Sequence, residues 1–246
     1  YLNGAYLPLA EARVSVLDRG FLFGDGVYEV IPAYEGQLFR CREHLVRLQG
    51  SLDGIRLPSP HTETEWAAIL EGLVARNGGG TQSVYLEVTR GADTGRDHAF
   101  PAGVSPTVFA MASELTPPPD SVRRDGVSAV TMPDPRWHWC NVKSINLLAN
   151  VLLRQRAVEQ GGYEAILIRD GHATEGSASN LFVVRGGVLI TPGKSPELLP
   201  GITRDLILEL AAILDVVTGR QRDRGGDALA NVMDDTAEVA AANVAE

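Results

Sequence analysis

Apolar and polar residues alternate with two different periods along the first half of the chain. A period of two, together with short apolar runs, predicts strands at 26–34, 83–89 and 107–112. A period near 3.6 predicts helices at 41–55 and 62–77. Because strands and helices share one region, the pattern indicates a mixed fold.

A proline-rich stretch interrupts this pattern. Residues 115–120 read LTPPPD, and three consecutive prolines continue neither a helix nor a strand. We therefore predict an N-terminal lobe at 1–114, a linker at 115–120 and a C-terminal lobe at 121–246. Within the C-terminal lobe the same periods predict strands at 127–132, 165–169, 181–184 and 188–190, and helices at about 147–160 and 203–214.

Composition and charge argue against several classes of function. The 246 residues are 44% hydrophobic, as in globular proteins, and the net charge of −9 disfavours a nucleic-acid or anionic-membrane surface. No apolar run reaches the length of a membrane span, and we expect no secretory signal. The two Cys and five His are scattered, so we expect no disulfide framework, no metal site and a cytoplasmic location.

Lysine is rare in this chain, and its two occurrences differ in their surroundings. Of 22 basic residues, 20 are Arg, and only Lys143 and Lys194 are Lys. Lys194 lies in a Gly/Ser/Pro loop, whereas Lys143 lies among apolar residues in WCNVKSINLLANVL. A buried amine is available for Schiff-base chemistry, which a guanidinium cannot perform. Lys143 is therefore either a surface lysine beside an apolar segment or a reactive amine.

Two further stretches carry groups that suit a phosphorylated ring. In ATEGSASNLF, Glu175 precedes a run of small residues. It either forms part of a polar turn or holds a proton on a ring nitrogen. In LLPGITRDLILEL, Gly201 leads into a helix whose first turn contains Thr203. The amides at this helix start either receive an ordinary cap or bind a phosphate.

Basic residues in two other stretches are candidates for binding anions. In REHLVRLQGS, Arg42 and Arg47 lie on a predicted helix, either on a solvated face or reaching inward to a phosphate. In TRGADTGRDHAFP, Arg96 and His98 either belong to an exposed polar loop or, being two residues apart, point to the same side and grip a carboxylate. Together the stretches supply an amine, a carboxylate and phosphate donors, which pyridoxal phosphate requires.

The order of these motifs resembles that of the fold-type IV pyridoxal-phosphate enzymes, and among them the D-amino-acid (D-alanine) transaminases. The resemblance runs from about residue 2 to residue 214. It rests on six motifs in combination: DRGFLFGDGVYEV, EHLVRL, EVTRG, VKSINLLANVL, YEAILIRDGHATEGSASNLF and PGITRD. It implies a two-lobed α+β fold with a small N-terminal α/β lobe. The larger C-terminal lobe would be mixed, β-barrel-like and the carrier of the cofactor lysine.

The resemblance implies that three residues carry the chemistry. Lys143 matches the lysine that binds the cofactor through a Schiff base and then acts as the general base. Glu175 matches the carboxylate on the pyridine nitrogen, and Tyr28 matches the tyrosine on the cofactor's reactive side. Two half-reactions would then exchange an amino group between a D-amino acid such as D-alanine and a 2-oxo acid such as 2-oxoglutarate, with ping-pong kinetics.

The resemblance also implies how the cofactor is held. After residue 225 the sequence becomes rich in Ala and departs from the family. Asn243 and Val244 fall where the family has a turn that touches the phosphate. The residues that match other cofactor-binding positions are Arg47, Ser179, Ile202 and Thr203.

Arg96 and His98 distinguish among the reactions of this family. They match the pair that traps the substrate carboxylate in the D-amino-acid enzymes, reaching in from the neighbouring subunit of a homodimer. Aminodeoxychorismate lyases and transaminases for branched-chain amino acids or (R)-amines share the lysine and the glutamate, and they remain alternatives. A protein that binds the cofactor without turnover is a further alternative. The pair and the GVYEV strand favour D-amino-acid transamination.

Overall fold

The computed structural model describes residues 1–214, 218–220 and 238–242. These residues form two compact units, whose boundary in the chain lies between Pro117 and Pro118. The division predicted from sequence placed Lys143 in the C-terminal lobe. In the structure the segment Val142–Asn146 belongs to the first unit, because its backbone pairs with residues of that unit. Asn243 and Val244 lie outside the described residues.

The first unit consists of one sheet and the helices that cover it. Its elements are a 3-10 helix at Leu9–Glu11, α1 at Arg19–Phe23, β1 at Gly26–Tyr34, β2 at Gln37–Leu38, α2 at Cys41–Gly54, α3 at Glu63–Arg76, β3 at Gln82–Thr89 and β4 at Thr107–Glu114. The strands lie in the order β2-β1-β3-β4, and every neighbouring pair is antiparallel. The strands and the two long helices predicted for this region are confirmed to within two residues at each end.

Leucines at helical spacing fix α2 and α3 in the core of the first unit. Leu48 and Leu52 of α2 and Leu70 of α3 are buried in one cluster with Ile31 of β1. Burying each such side chain stabilises the fold by roughly 1.5–3 kcal/mol. This packing holds α2 in a fixed position next to β1, together with the polar side chains that α2 carries.

The second unit contains two sheets among the described residues, not one closed, barrel-like sheet. Its elements are α4 at Asp120–Asp125, β5 at Ala129–Pro133, α5 at Leu148–Glu159, β6 at Glu164–Arg169, β7 at His172–Gly176, β8 at Asn180–Arg185, β9 at Val188–Thr191, α6 at Ile202–Ile213, β10 at Thr218–Arg220 and β11 at Glu238–Ala242. The sheet orders are β5-β6-β7 and β10-β9-β8-β11, and both contain parallel and antiparallel pairs. The predicted α+β fold is confirmed.

Strand β7 was not predicted, because its sequence HATEG lacks apolar alternation. The structure nevertheless buries Thr174 and Glu175 within this strand. Glu175 therefore lies on a strand and not in the polar turn that was one of its two interpretations. Among the described residues, helices are either too short or too polar to cross a lipid bilayer.

Candidate active site

Lys143 is fixed by backbone pairing at the edge of β1. Its carbonyl accepts a 3.0 Å hydrogen bond from the Tyr28 N–H, and its own N–H donates to Ser51 Oγ at 3.1 Å. The Ile145 N–H continues this pairing by donating to the Gly26 carbonyl at 3.1 Å. Gly26 permits the close approach, because a Cβ there would lie 2.9 Å from Ile145 Cδ1. The position of Lys143 is therefore set by the chain on both sides of it.

The side chain of Lys143 is buried against an aromatic ring. Only 3% of the residue is exposed, and its Nζ lies 4.2 Å from the centroid of the Tyr28 ring. By contrast, 54% of the Lys194 side chain is exposed, and its Nζ pairs with Asp205 at 2.7 Å. The structure thus brings the predicted residues Lys143 and Tyr28 together, and it places the other lysine in solvent.

Arg47 makes a two-pronged ion pair with Glu29 inside the first unit. Arg47 Nε donates to Glu29 Oε1 at 2.7 Å and Nη2 donates to Oε2 at 2.8 Å, while His44 Nδ1 lies 2.8 Å from the same Oε2. Burial acts to raise the pKa of Glu29, but the hydrogen bonds and charge of Arg47, aided by His44, lower it to about 2. Glu29 is therefore ionised and fixes the guanidinium of the predicted phosphate ligand.

Arg96 and His98 lie in an exposed loop between β3 and β4. The Arg96 guanidinium carbon lies 4.8 Å from the centroid of the Phe23 ring, and the His98 ring lies 5.1 Å from the same centroid. The two side chains therefore meet on one aromatic ring of α1. This arrangement brings both side chains to one aromatic ring at the surface of the first unit.

Glu175 is a buried carboxylate surrounded by N–H donors in the second unit. Its Oε1 accepts a 2.6 Å hydrogen bond from Arg136, and its Oε2 accepts from the Leu199 N–H at 3.0 Å and from Asn180 Nδ2 at 3.2 Å. Burial raises the pKa of Glu175 to about 7, although Arg136 and the Leu199 amide act to lower it. A small change in its surroundings therefore decides whether the group is ionised at neutral pH.

Behind Glu175, buried charges of alternating sign follow one another. Arg136 donates to both oxygens of Asp134 at 2.9 Å, and Arg169 Nη2 lies 3.0 Å from Asp134 Oδ2. Burial acts to raise the pKa of Asp134, but the hydrogen bonds and charge of Arg136 lower it, with a smaller contribution from Arg169. Asp134 is therefore a fixed anion that holds Arg136 in place beneath Glu175.

The turn from Ser177 to Ser179 closes around a second buried carboxylate. Glu164 of β6 accepts hydrogen bonds from the hydroxyls of both serines, including 3.0 Å from Ser179 Oγ to Oε2. It also accepts from the backbone N–H groups of Ser177 at 3.1 Å and Ala178 at 3.4 Å. Glu164 therefore sets the shape of the turn and orients Ser179, which matches a cofactor-binding position of the family.

At the start of α6, the N-cap residue provides no side chain that caps the backbone amides. The N-cap residue is Gly201, and no side chain caps the helix there; Ile202 is buried and Thr203 is half-buried. A Cβ on Gly201 would collide with Asn180 Oδ1, and Asn180 Nδ2 also donates to the Leu199 carbonyl at 2.9 Å. Uncapped amides at a helix start suit an anion, and here they lie next to the residues that hold Glu175.

The sequence patterns do not predict the contacts of four side chains that hold candidate residues in position. Two of them carried a usable signal, since Glu29 and Glu164 are carboxylates within apolar strands and a buried carboxylate must be paired. The other two, Arg136 and Asn180, lie in polar segments whose ordinary interpretation is a solvated turn. Their roles follow only from the tertiary contacts.

Comparison with known proteins identifies the family. The sequence model of the family described as amino-transferase class IV matches residues 26–221. The D-alanine aminotransferase of Bacillus licheniformis is 42% identical over 208 residues, which cover 85% of this chain and 73% of that protein.

Two solved structures of branched-chain amino acid aminotransferases share the fold. The enzyme of Escherichia coli superposes with a TM-score of 0.80 at 28% identity, covering 89% of this chain and 76% of that one. The enzyme of Thermoproteus uzoniensis with norvaline gives 0.79 at 28% identity, with 89% and 76% coverage. A further branched-chain enzyme of this fold was solved with pyridoxamine 5'-phosphate. The predicted resemblance is confirmed, and the chain belongs to the class IV aminotransferases, the fold-type IV enzymes that depend on pyridoxal phosphate.

Proposed function

We propose that the protein transfers the amino group of a D-amino acid such as D-alanine to a 2-oxo acid such as 2-oxoglutarate. The observation that carries this choice is the meeting of Arg96 and His98 on the Phe23 ring, because two adjacent donors fit a carboxylate. The identity to D-alanine aminotransferases, at 42% and 40%, also exceeds the 28% identity to the branched-chain enzymes.

The groups on the chain fit pyridoxal phosphate. Lys143 offers a buried primary amine for the aldehyde, Glu175 a buried carboxylate for the ring nitrogen, and α6 its first amides for the phosphate. When bound, the cofactor supplies an electron-withdrawing ring that stabilises negative charge at the substrate Cα. We assign the phosphate contacts to Arg47, Ile202 and Thr203.

Lys143 has two roles in this proposal. Its amine would hold the cofactor by condensing with the aldehyde, with loss of water. Once the amino group of the substrate had taken its place, the same amine would act as the general base that takes the proton from the substrate Cα and as the acid that gives it back. The ring of Tyr28, 4.2 Å from Nζ, covers the amine and limits the access of water. An arginine is unable to fill either role, because it stays protonated.

Glu175 and Ser179 act on the ring in this proposal. The ionised form of Glu175 holds a proton on the pyridine nitrogen, which preserves the electron-withdrawing power of the ring. Ser179, whose hydroxyl is oriented by Glu164, would help to hold the ring. Glu175 thus supplies the charge that the chemistry needs through the ring nitrogen.

We also propose a cytoplasmic homodimer. Arg96 and His98 are exposed on the first unit. In the dimer they would bind the carboxylate of a substrate held by the partner subunit. Both cysteines, Cys41 and Cys140, are free thiols, which suits a reducing compartment. Small-molecule amino and 2-oxo acids are the partners that this chemistry requires.

One absorbance experiment tests the proposal. Purified protein that has been loaded with pyridoxal phosphate is mixed with D-alanine, L-alanine, L-leucine or L-valine, and the visible band of the cofactor is followed. We expect D-alanine to remove the band and L-alanine to leave it, with 2-oxoglutarate restoring it. A response only to L-leucine or L-valine would support the branched-chain reaction, and no response to any amino acid would contradict transamination.

A further inference from the structure

Arg19, the first residue of α1, anchors the loop that carries Arg96 and His98. The residue is 3% exposed, and its Nη1 donates to the carbonyls of Asp97 at 2.6 Å and Ala99 at 3.3 Å. Its Nη2 donates to the carbonyl of His98 at 3.2 Å. One buried guanidinium therefore ties down three successive carbonyls of an otherwise exposed loop.

A shared carboxylate holds that guanidinium in place. Arg19 Nε donates to Asp25 Oδ2 at 2.8 Å, and Arg90 donates to the same oxygen at 2.8 Å and to Oδ1 at 3.0 Å. Burial acts to raise the pKa of Asp25, but the hydrogen bonds and charges of Arg90 and Arg19 lower it. Asp25 is thus an anion between two cations, and it directs the remaining N–H groups of Arg19 toward the loop.

The ring of Phe23 contacts the side chains of Arg96 and His98 from the same loop. The guanidinium carbons of Arg19 and Arg96 each lie 4.8 Å from its centroid, and the His98 ring lies 5.1 Å away. A cation over an aromatic face is stabilised, and each contact removes rotamers that an exposed side chain would otherwise sample. Arg19 therefore fixes the backbone of the loop, and Phe23 fixes the directions of its two donors.

We propose that Arg19 and Phe23 are positioning residues for the carboxylate of the substrate, because they set the spacing between Arg96 and His98. This inference rests on the proposed function, in which that pair binds the carboxylate. Both substrates of a transaminase for amino acids carry a carboxylate, so both should depend on the two residues. Neither residue serves the proton transfer, so binding is affected and the chemical step is largely spared.

The test uses the holoenzyme and the variants Arg19→Lys and Phe23→Leu. Lysine keeps the charge but lacks the planar fork that reaches three carbonyls, and leucine keeps bulk but lacks the ring face. We expect KM for D-alanine and for 2-oxoglutarate to rise about tenfold, with kcat changing less than about threefold. Hydrogen–deuterium exchange should become faster at 94–99, while the visible band of the bound cofactor stays unchanged.

Arg76→Gln is the matched control in the same unit. Arg76 also stacks on an aromatic ring, at 3.9 Å from the centroid of Tyr6, and donates to the Gly72 carbonyl at 2.9 Å. Its loss should leave both KM values and exchange at 94–99 unchanged. If Arg19→Lys does not fold, the KM values of Phe23→Leu are sufficient to test the inference, because this variant keeps the buried guanidinium of Arg19.

Two results would overturn the inference. The first is wild-type KM for both substrates in Phe23→Leu and in folded Arg19→Lys, and the second is an equal rise in KM in the Arg76→Gln control. Failure of the proposed function looks different, because then the wild type itself does not react with D-alanine.

Discussion

Arg136 donates a 2.6 Å hydrogen bond to the carboxylate of Glu175, and both side chains are buried. The two oxygens of Asp134 hold the same guanidinium at 2.9 Å, so Arg136 is fixed in this position. Its charge opposes the effect of burial on Glu175, whose pKa is about 7. The cation therefore keeps a useful fraction of the carboxyl group ionised at neutral pH.

Removing this cation by Arg136→Met should move the activity toward alkaline pH. Without Arg136 the pKa of Glu175 rises further above about 7, so the carboxyl group is protonated at neutral pH and no longer holds a proton on the ring nitrogen. Each unit of that rise lowers the ionised fraction by about tenfold. We expect kcat at pH about 7 to fall by about tenfold or more and to recover partly toward pH about 9, as measured in a pH–rate profile.

An exposed arginine of the same unit provides the control for this profile. Arg124 pairs with Asp125 at 2.8 Å in solvent, and Arg124→Met should keep the wild-type profile. An Arg136→Met enzyme that is slower by the same factor at every pH would mean that Arg136 supports the fold and does not tune Glu175.

The two lysines of the chain make a matched pair for testing the covalent link. Reduction of the holoenzyme with borohydride should attach the cofactor permanently to Lys143, and peptide mass spectrometry should find it there. Lys143→Ala should lose this attachment and reduce turnover by about a thousandfold or more, because the anchor and the general base are lost together. Lys194→Ala should retain both, since Lys194 is exposed and paired with Asp205. Cofactor attached to Lys194 would contradict the assignment.

Local patterns are sufficient to predict the strand that carries Tyr28 and the helix that carries Arg47. The strand GVYEVIPAY alternates as a strand does, and the helix that begins at Cys41 has a period near 3.6 because one of its faces is buried. The rarity of lysine indicated Lys143, although its burial depends on pairing with the distant Tyr28 and Ser51. That pairing joins residues far apart in the chain, so no local pattern reports it.

The charged groups behind the site are the part that local patterns miss. Arg136 lies in the polar segment PDPRWHW, and its partner Glu175 lies 39 positions later on an unpredicted strand. Arg19 stands in a motif that carries the family resemblance, yet its contact with the loop at 97–99 spans about 80 positions. Such ion pairs and hydrogen bonds depend on the tertiary fold, so the sequence shows the residues but not their partners.

A methyl group at Gly201 should weaken cofactor binding. The added Cβ of Gly201→Ala would collide with Asn180 Oδ1 and displace the amide that donates to Glu175. We expect the Kd for pyridoxal phosphate to rise by about tenfold, which corresponds to about 1.4 kcal/mol, in a fluorescence titration. Gly50→Ala is the control, because a Cβ there meets nothing within 4 Å. Equal affinities for the two variants would show that the Asn180 contact is unimportant.

The ion pair of Glu29 with Arg47 should make the first unit sensitive to acid. The folded-state pKa of Glu29, about 2, is below its ordinary value of 4.5, so its stabilising contribution is present above pH about 4.5 and is lost as the pH falls toward 2. Glu29→Gln leaves a buried guanidinium without its anion, and we expect it to lower the free energy of unfolding at pH about 7 by about 3–5 kcal/mol in urea titrations. The difference from wild type should shrink below pH about 4.5.

The control is Glu63→Gln, which removes an exposed partner of Arg42 and should lower the free energy of unfolding by less than about 1 kcal/mol. A difference between wild type and Glu29→Gln that stays constant down to pH about 2.5 would show that the buried carboxyl is not ionised in the folded protein.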